Sequence, residues 1–145
     1  MTLDIPYAFP VGRLLAAGQP DPAQLQAAKD AGYGMVVNLR VDGEAIGFDE
    51  RAVVEALGMQ YRHIPVGGAA GVTRDNARAL QSALADAGDA PVIVHCGTAN
   101  RVGALVAVAA AMEGAPANEA LEKGRRAGLL GLEAHVRELI EGWYS

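Results

Sequence analysis

The chain has one cysteine, one tryptophan and two phenylalanines, no surplus of positive charge, and few histidines. Each shortage removes a class of explanation. A single cysteine excludes an internal disulfide. His63, His95 and His135 are scattered, so no Cys/His pattern has metal-ligand spacing, and neither a metal nor another cofactor is expected. A net charge of -5 argues against a nucleic-acid surface or a polybasic membrane contact, although an acidic protein can still hold a local positive pocket for a small anion. The longest apolar run, Ala104 to Met112, is too short to cross a bilayer and continues into Glu113-Gly114, so it reads as a core helix. Met1 to Pro6 lacks the basic and apolar regions of a secretory signal, which leaves a cytoplasmic location as the expectation. The 145 residues fit one domain spanning 1–145.

What is present is an alternation. Apolar, β-rich runs at Met35 to Leu39, Tyr61 to Val66 and Val92 to Val94, with a shorter one at Arg13 to Ala17, are separated by helical patterns. Helices are predicted over Asp21 to Ala31, Phe48 to Leu57, Thr73 to Ala87, Val102 to Glu113, Ala117 to Ala127 and Leu132 to Glu141. Asp21 and Thr73 are the N-cap candidates, and Gly32, Gly58 and Gly88 the stops. The pattern predicts an α/β fold with a central, mostly parallel sheet of four to five strands flanked by helices.

The lone cysteine sits where chemistry can be built. Val92 to Val94 is short enough for a buried strand and Val102 onward is a strong helix former, so Cys96 to Arg101 must turn between them. A loop entering a helix N-terminus directs backbone N–H groups and the positive end of the helix dipole into its bowl, favouring an anion there and the thiolate form of Cys96. Arg101 offers a planar fork for a tetrahedral oxyanion. Gly97, Thr98, Ala99 and Asn100 form the rest of the substrate-binding loop, and His95 is expected to orient it. A lone cysteine after an apolar strand is ordinarily a small buried hydrophobe. Here it ends the strand, follows a histidine, enters a small-residue loop and precedes an arginine.

Loops at the carboxyl ends of such strands collect ligands. Arg40-Val41-Asp42-Gly43-Glu44 follows one strand and places Arg40, Asp42 and Glu44 as further candidates, with a solvated turn as the plainer alternative. Gly67-Gly68-Ala69-Ala70-Gly71 follows another and suits a mobile or closing loop. Lys123, Arg125 and Arg126 read as a solvated helical face, and His63 and His135 as ordinary members of a strand and a helix.

With strand, His95-Cys96, tight loop, Arg101 and helix in place, the chain resembles the cysteine-dependent phosphatases of dual-specificity type. More narrowly, it resembles a bacterial phosphatase-like domain also found fused to β-lactamase-fold hydrolases. The segments that carry the resemblance are Ala17-Gly18-Gln19-Pro20, Val36-Val37-Asn38-Leu39-Arg40, His63-Ile64-Pro65-Val66 and His95-Cys96 through Arg101-Val102-Gly103-Ala104. The resemblance implies a protein tyrosine phosphatase-like hydrolase: Cys96 attacks phosphorus, the loop amides and Arg101 hold the equatorial oxygens, and water hydrolyses the phosphocysteine. The implied partner is a small phosphorylated or other oxyanionic substrate.

Three departures open alternatives. The loop between cysteine and arginine is one residue shorter than the usual signature, a length used by rhodanese-type sulfurtransferases that carry a persulfide. Val102 stands where a hydroxyl residue normally follows the arginine, leaving Thr98 or Asn100 to assist breakdown of the intermediate. Gly67 and Gly68 stand where the family places its aspartic general acid, with Asp42 and Glu44 the substitutes and Asp75 behind them. A catalytically weak oxyanion-binding module is the third reading.

Overall fold

A computed structural model describes residues 3–44 and 46–144 of the chain. Five strands form one sheet in the order β1-β2-β5-β3-β4. They are β1 (Phe9–Val11), β2 (Leu14–Ala17), β3 (Met35–Asn38), β4 (Gln60–His63) and β5 (Val92–His95). Strands β2 to β5 pair in parallel, and β1 adds an antiparallel margin through the register Phe9 to Ala16. This is the mostly parallel α/β sheet that the alternation predicts. Strand β1 was not anticipated, because three residues containing Pro10 carry no readable periodicity.

The helices are α1 (Pro22–Asp30), α2 (Glu50–Ala56), α3 (Arg74–Asp86), α4 (Asn100–Met112), α5 (Ala117–Arg126) and α6 (Glu133–Glu141). Side-chain caps define the starts of the first three helices. Asp21 and Gln24 close a capping box on α1, Asp49 accepts from the Ala52 amide at 3.2 Å, and Thr73 accepts from the Asn76 amide at 3.1 Å. The second helix therefore begins at Glu50, two residues after the predicted Phe48. Helix α4 begins at Asn100 rather than Val102, which makes Arg101 part of the first helical turn instead of the end of a loop.

Alternating side chains split the core into two layers across the sheet. Leu14, Met35, Val37, Val92 and Val94 face the layer formed with α3, α4, α5 and α6, whereas Leu15, Val36 and Ile93 face α1 and α2. The predicted strand from Tyr61 to Val66 closes its ladder at His63. Beyond it the chain still follows β3 through Ile64 N–H to Asn38 O and Val66 N–H to Leu39 O, each 2.9 Å, while Pro65 has no N–H to offer. The glycine-rich segment then makes one 3₁₀ turn at Ala69–Gly71, with Gly71 tucked against Val66. Among the described residues no helix is long and apolar enough to cross a membrane.

Candidate active site

Strand β5 is central and buried at every position, and Cys96 follows its last residue. The Cys96 amide donates to Ala17 O at 3.1 Å, and the residue is 1% exposed. The loop beyond it is walled by the turn after β2, where Gly18 forms a bridge with Thr98. A β-carbon on Gly18 would lie 2.7 Å from Gly97 O and 3.0 Å from Pro6 O, so only glycine lets these backbones approach. Ala99 enters the helix at φ 68, a left-handed conformation that costs a non-glycine residue about 1–2 kcal/mol and is here held by its neighbours.

The candidate residues divide once placed in space. Gly97 is half-buried and Thr98 exposed, whereas Ala99 is buried. The Asn100 side chain is committed elsewhere: Oδ1 accepts from the amides of Leu130 at 2.8 Å and Leu132 at 3.3 Å, tying the chain after α5 to the start of α4. Its side-chain oxygen is thus engaged away from any assistance to breakdown of an intermediate, whereas its expected place in the substrate-binding loop is that of a backbone amide.

Arg101 is fixed by three hydrogen bonds. Nη1 donates to Glu44 Oε2 at 2.9 Å and to Val66 O at 2.8 Å, while Nη2 donates to Glu44 Oε1 at 2.9 Å. A guanidinium has five N–H groups. Two on its end-on edge hold Glu44 and the second Nη1–H holds Val66 O, leaving Nε–H and one Nη2–H as a second fork on the adjacent edge. That edge borders the loop: a β-carbon on Gly97 would sit 3.6 Å from Arg101 Nη2 and 4.0 Å from Arg40 Nη1. Both guanidinium groups therefore converge on the residue after Cys96, and the missing side chain keeps the space open.

Glu44 is the acceptor that holds this arrangement. Hydrogen bonding to Arg101 foremost, with help from the Val41 amide and the Arg40 charge, lowers its pKa from 4.5 to about 2 against the opposing effect of burial. Such a carboxylate has no proton to donate at neutral pH, so the expectation that Glu44 acts as general acid is corrected to a charge partner. Reciprocally, the Glu44 hydrogen bond first, and the charge of Cys96 among lesser causes, raise the Arg101 pKa above its ordinary value.

Asp42 is almost fully solvent-exposed, with Oδ1 3.9 Å from His63 Nδ1. His63 Nε2 lies 2.5 Å from Arg40 O, a contact in which the carbonyl accepts and the ring nitrogen must carry the hydrogen. Asp75 is exposed and pairs with Arg78 at 3.2 Å. Arg40, Asp42, Glu44, Arg51, Tyr61 and His63 line a polar cleft of about 480 Å³ beside the loop. A smaller, more apolar cavity of about 270 Å³ lies at the other end of the sheet against Leu14, Leu80 and Val106, and Lys123 lines it. Arg125 pairs with Glu133 at 2.7 Å on the surface, so the basic cluster of α5 does not gather at Cys96.

His95 is fully buried, and its Nε2 lies 2.6 Å from Oε2 of Glu50, itself 4% exposed. Gln19 Nε2 donates to the other oxygen of Glu50 at 2.7 Å. Neither Glu50 nor Gln19 was singled out from the sequence. Gln19 belongs to the segment Ala17-Gly18-Gln19-Pro20 that carries part of the resemblance, and no sequence signal marks Glu50. Among the described residues no three His, Cys, Asp or Glu side chains assemble as a metal site.

Residues 9–129 match the family model of the beta-lactamase hydrolase-like protein, phosphatase-like domain. The chain is 35% identical over 106 residues to a beta-lactamase hydrolase-like protein of Agrobacterium fabrum, and 33% identical over 106 residues to one of Xylella fastidiosa. Each alignment covers 70% of this chain and 24% of the relative, so the chain spans about a quarter of these proteins. Among solved structures, a DUF442 protein of Shewanella putrefaciens superposes with a TM-score of 0.72 at 22% identity, covering 95% of this chain and 88% of that one. Tk-PTP in its active form gives 0.72 at 21% identity over 94% and 97% of the two chains. Kinase associated phosphatase gives 0.66 at 11% identity over 98% of each. At these identities the likeness is one of fold, and the fold is dual-specificity phosphatase-like.

Proposed function

Because the chain belongs to the phosphatase-like domain family of the beta-lactamase hydrolase-like proteins, we propose that it hydrolyses small phosphate monoesters through a phosphocysteine on Cys96. The observation that carries this reading is Arg101, with one edge locked onto Glu44 and Val66 and the other left facing the loop after Cys96. The Cys96 thiolate attacks phosphorus and the P–O bond to the organic group breaks. The departing oxygen keeps the bonding electrons and takes its proton from water. Water then attacks phosphorus, the P–S bond breaks, and the thiolate returns with release of inorganic phosphate. Through both steps the loop amides and the Nε/Nη2 fork of Arg101 hold the equatorial oxygens in a fixed setting, which favours the charge distribution of the transition state.

The four-residue spacing between Cys96 and Arg101 favours a second reading, sulfur transfer through a Cys96 persulfide. One paired assay separates them. Wild type is expected to release phosphate from an aryl phosphate and Cys96→Ser to release none, with neither transferring sulfur from thiosulfate to cyanide. Thiosulfate-dependent transfer without phosphate release would replace the phosphatase by the sulfurtransferase. Sulfate binding with neither turnover would leave an oxyanion-binding module. The location is proposed to be cytoplasmic and the region 1–145 one domain.

A further inference from the structure

The pair formed by His95 and Glu50 is not one that stability alone calls for. Both side chains are removed from water, and a buried ion pair or charged hydrogen bond seldom outperforms an apolar replacement of the same volume. The network is also incompletely satisfied: His95 Nδ1 and Gln19 Oε1 are buried with no hydrogen-bond partner among the described residues. An arrangement that is expensive and partly unsatisfied calls for a reason other than holding α2 against the sheet.

Its placement supplies one. One oxygen of Glu50 takes the ring of His95, the residue immediately before Cys96. The other takes Gln19, the residue immediately after Gly18, whose backbone bridges Thr98 within the loop. Cys96 N–H to Ala17 O at 3.1 Å joins the same two segments through the backbone, and Leu39 N–H to His95 O at 2.9 Å ties the first of them to the end of β3. The two sides of the loop's entrance are thus joined through a single carboxylate on α2. Glu50 also fixes where the imidazole hydrogen resides, because a carboxylate oxygen at 2.6 Å requires Nε2 to be the donor.

We propose that Glu50 is a positioning residue that clamps His95 and Gln19 and thereby sets the shape of the Cys96 loop for its oxyanion. The inference rests on the reading of that loop as the working site. The clamp acts on binding geometry, so it is testable whether or not phosphate is turned over. A loop displaced by a fraction of an ångström loses amide alignment to every oxygen at once, so loss of the clamp should weaken oxyanion binding about 10-fold or more.

The test measures vanadate and sulfate affinity by calorimetry for wild type, Glu50→Gln, Gln19→Met and Glu55→Gln, with thermal unfolding of each. Proton NMR follows the His95 Nε2–H resonance, expected far downfield of the amides in wild type. Glu50→Gln should stay folded, move that resonance upfield and bind the oxyanions at least about 10-fold more weakly. Gln19→Met, which removes one arm, should weaken binding by a smaller factor. Glu55→Gln, on the exposed side of the same helix, should bind as wild type does. A folded Glu50→Gln with wild-type affinity would overturn the proposal. Should Glu50→Gln fail to fold, Gln19→Met decides: undiminished affinity overturns the clamp and weakened affinity supports it. If wild type binds oxyanions but hydrolyses no ester, the function proposed above fails and this comparison still stands.

Discussion

An arginine side chain has two edges suited to carboxylates and phosphates, and Arg101 gives them different tasks. Its outer edge is neutralised by Glu44, which makes the guanidinium immobile before any ligand arrives and leaves the inner edge as the receiving one. The pair has a pH signature. Glu44 is held below its ordinary carboxylate range, so its contribution to stability is complete above about pH 4.5 and is lost as pH falls toward about 2. Urea unfolding of wild type and Glu44→Gln should differ most at neutral pH, with the gap closing through that window; a gap constant with pH would mean the charge of Glu44 does not matter to folding. A second prediction concerns the departing oxygen. With Gly67 and Gly68 after β4, Glu44 ionised, Asp49 capping α2 and Glu50 taken up by His95 and Gln19, the exposed Asp42 is the remaining carboxyl of the cleft among the described residues that could protonate it. Turnover should therefore depend steeply on the leaving group, with alkyl phosphates slower than activated aryl phosphates by about 10²-fold to 10⁴-fold. If Asp42→Asn slows only the alkyl ester, Asp42 is the acid and the dependence has another origin.

At the scale of elements, α4 can deliver Arg101 only because α5 lets it approach. A β-carbon on Gly103 would stand 2.2 Å from Leu129 N and 2.6 Å from its Cα, and one on Gly124 would stand 2.8 Å from Gly103 O. These are backbone atoms, which cannot swing aside. Gly103→Ala should force the helices apart at a cost of about 1–3 kcal/mol or more, read by denaturant unfolding. Oxyanion affinity should fall with it, because Arg101 lies two residues away. Unchanged unfolding would show that the interface yields freely. The same helix shows how far sequence reasoning reaches. A strand of β-branched residues, one cysteine, small residues and an apolar helix are local signals, so the places of Cys96 and Arg101 were legible before any coordinates. The six helices were legible as well, with ends displaced by a residue or two, as where Asp49 caps the second helix inside the span predicted from Phe48. Glu44 was legible as a residue near the site but not as the partner of Arg101, because 57 positions separate them and only the fold joins them. Glu50 and His95 are 45 positions apart, and no periodicity marks either as the other's partner.

Across the whole molecule, an acidic chain concentrates two arginines at one loop while two hydrophobic layers hold the sheet beneath it. A ligand bound there stabilises everything linked to it. Sulfate at about 100 times its dissociation constant adds about 2.7 kcal/mol to unfolding, which for a domain of this size raises the melting temperature on the order of 5–10 °C. Arg101→Ala should show almost none of that rise, and equal shifts in both proteins would place the anion elsewhere.

The parallel sheet ends in two open margins, and each discourages a neighbour. Strand β1 is only three residues long and carries Pro10, which has no N–H to extend the ladder. Strand β4 carries Arg62, whose guanidinium reaches Gln60 and Asp86 and would be stripped of water by an incoming strand. The short hairpin at the start of the fold and the charge at its far side are both features that make sheet-to-sheet joining between colliding molecules unfavourable.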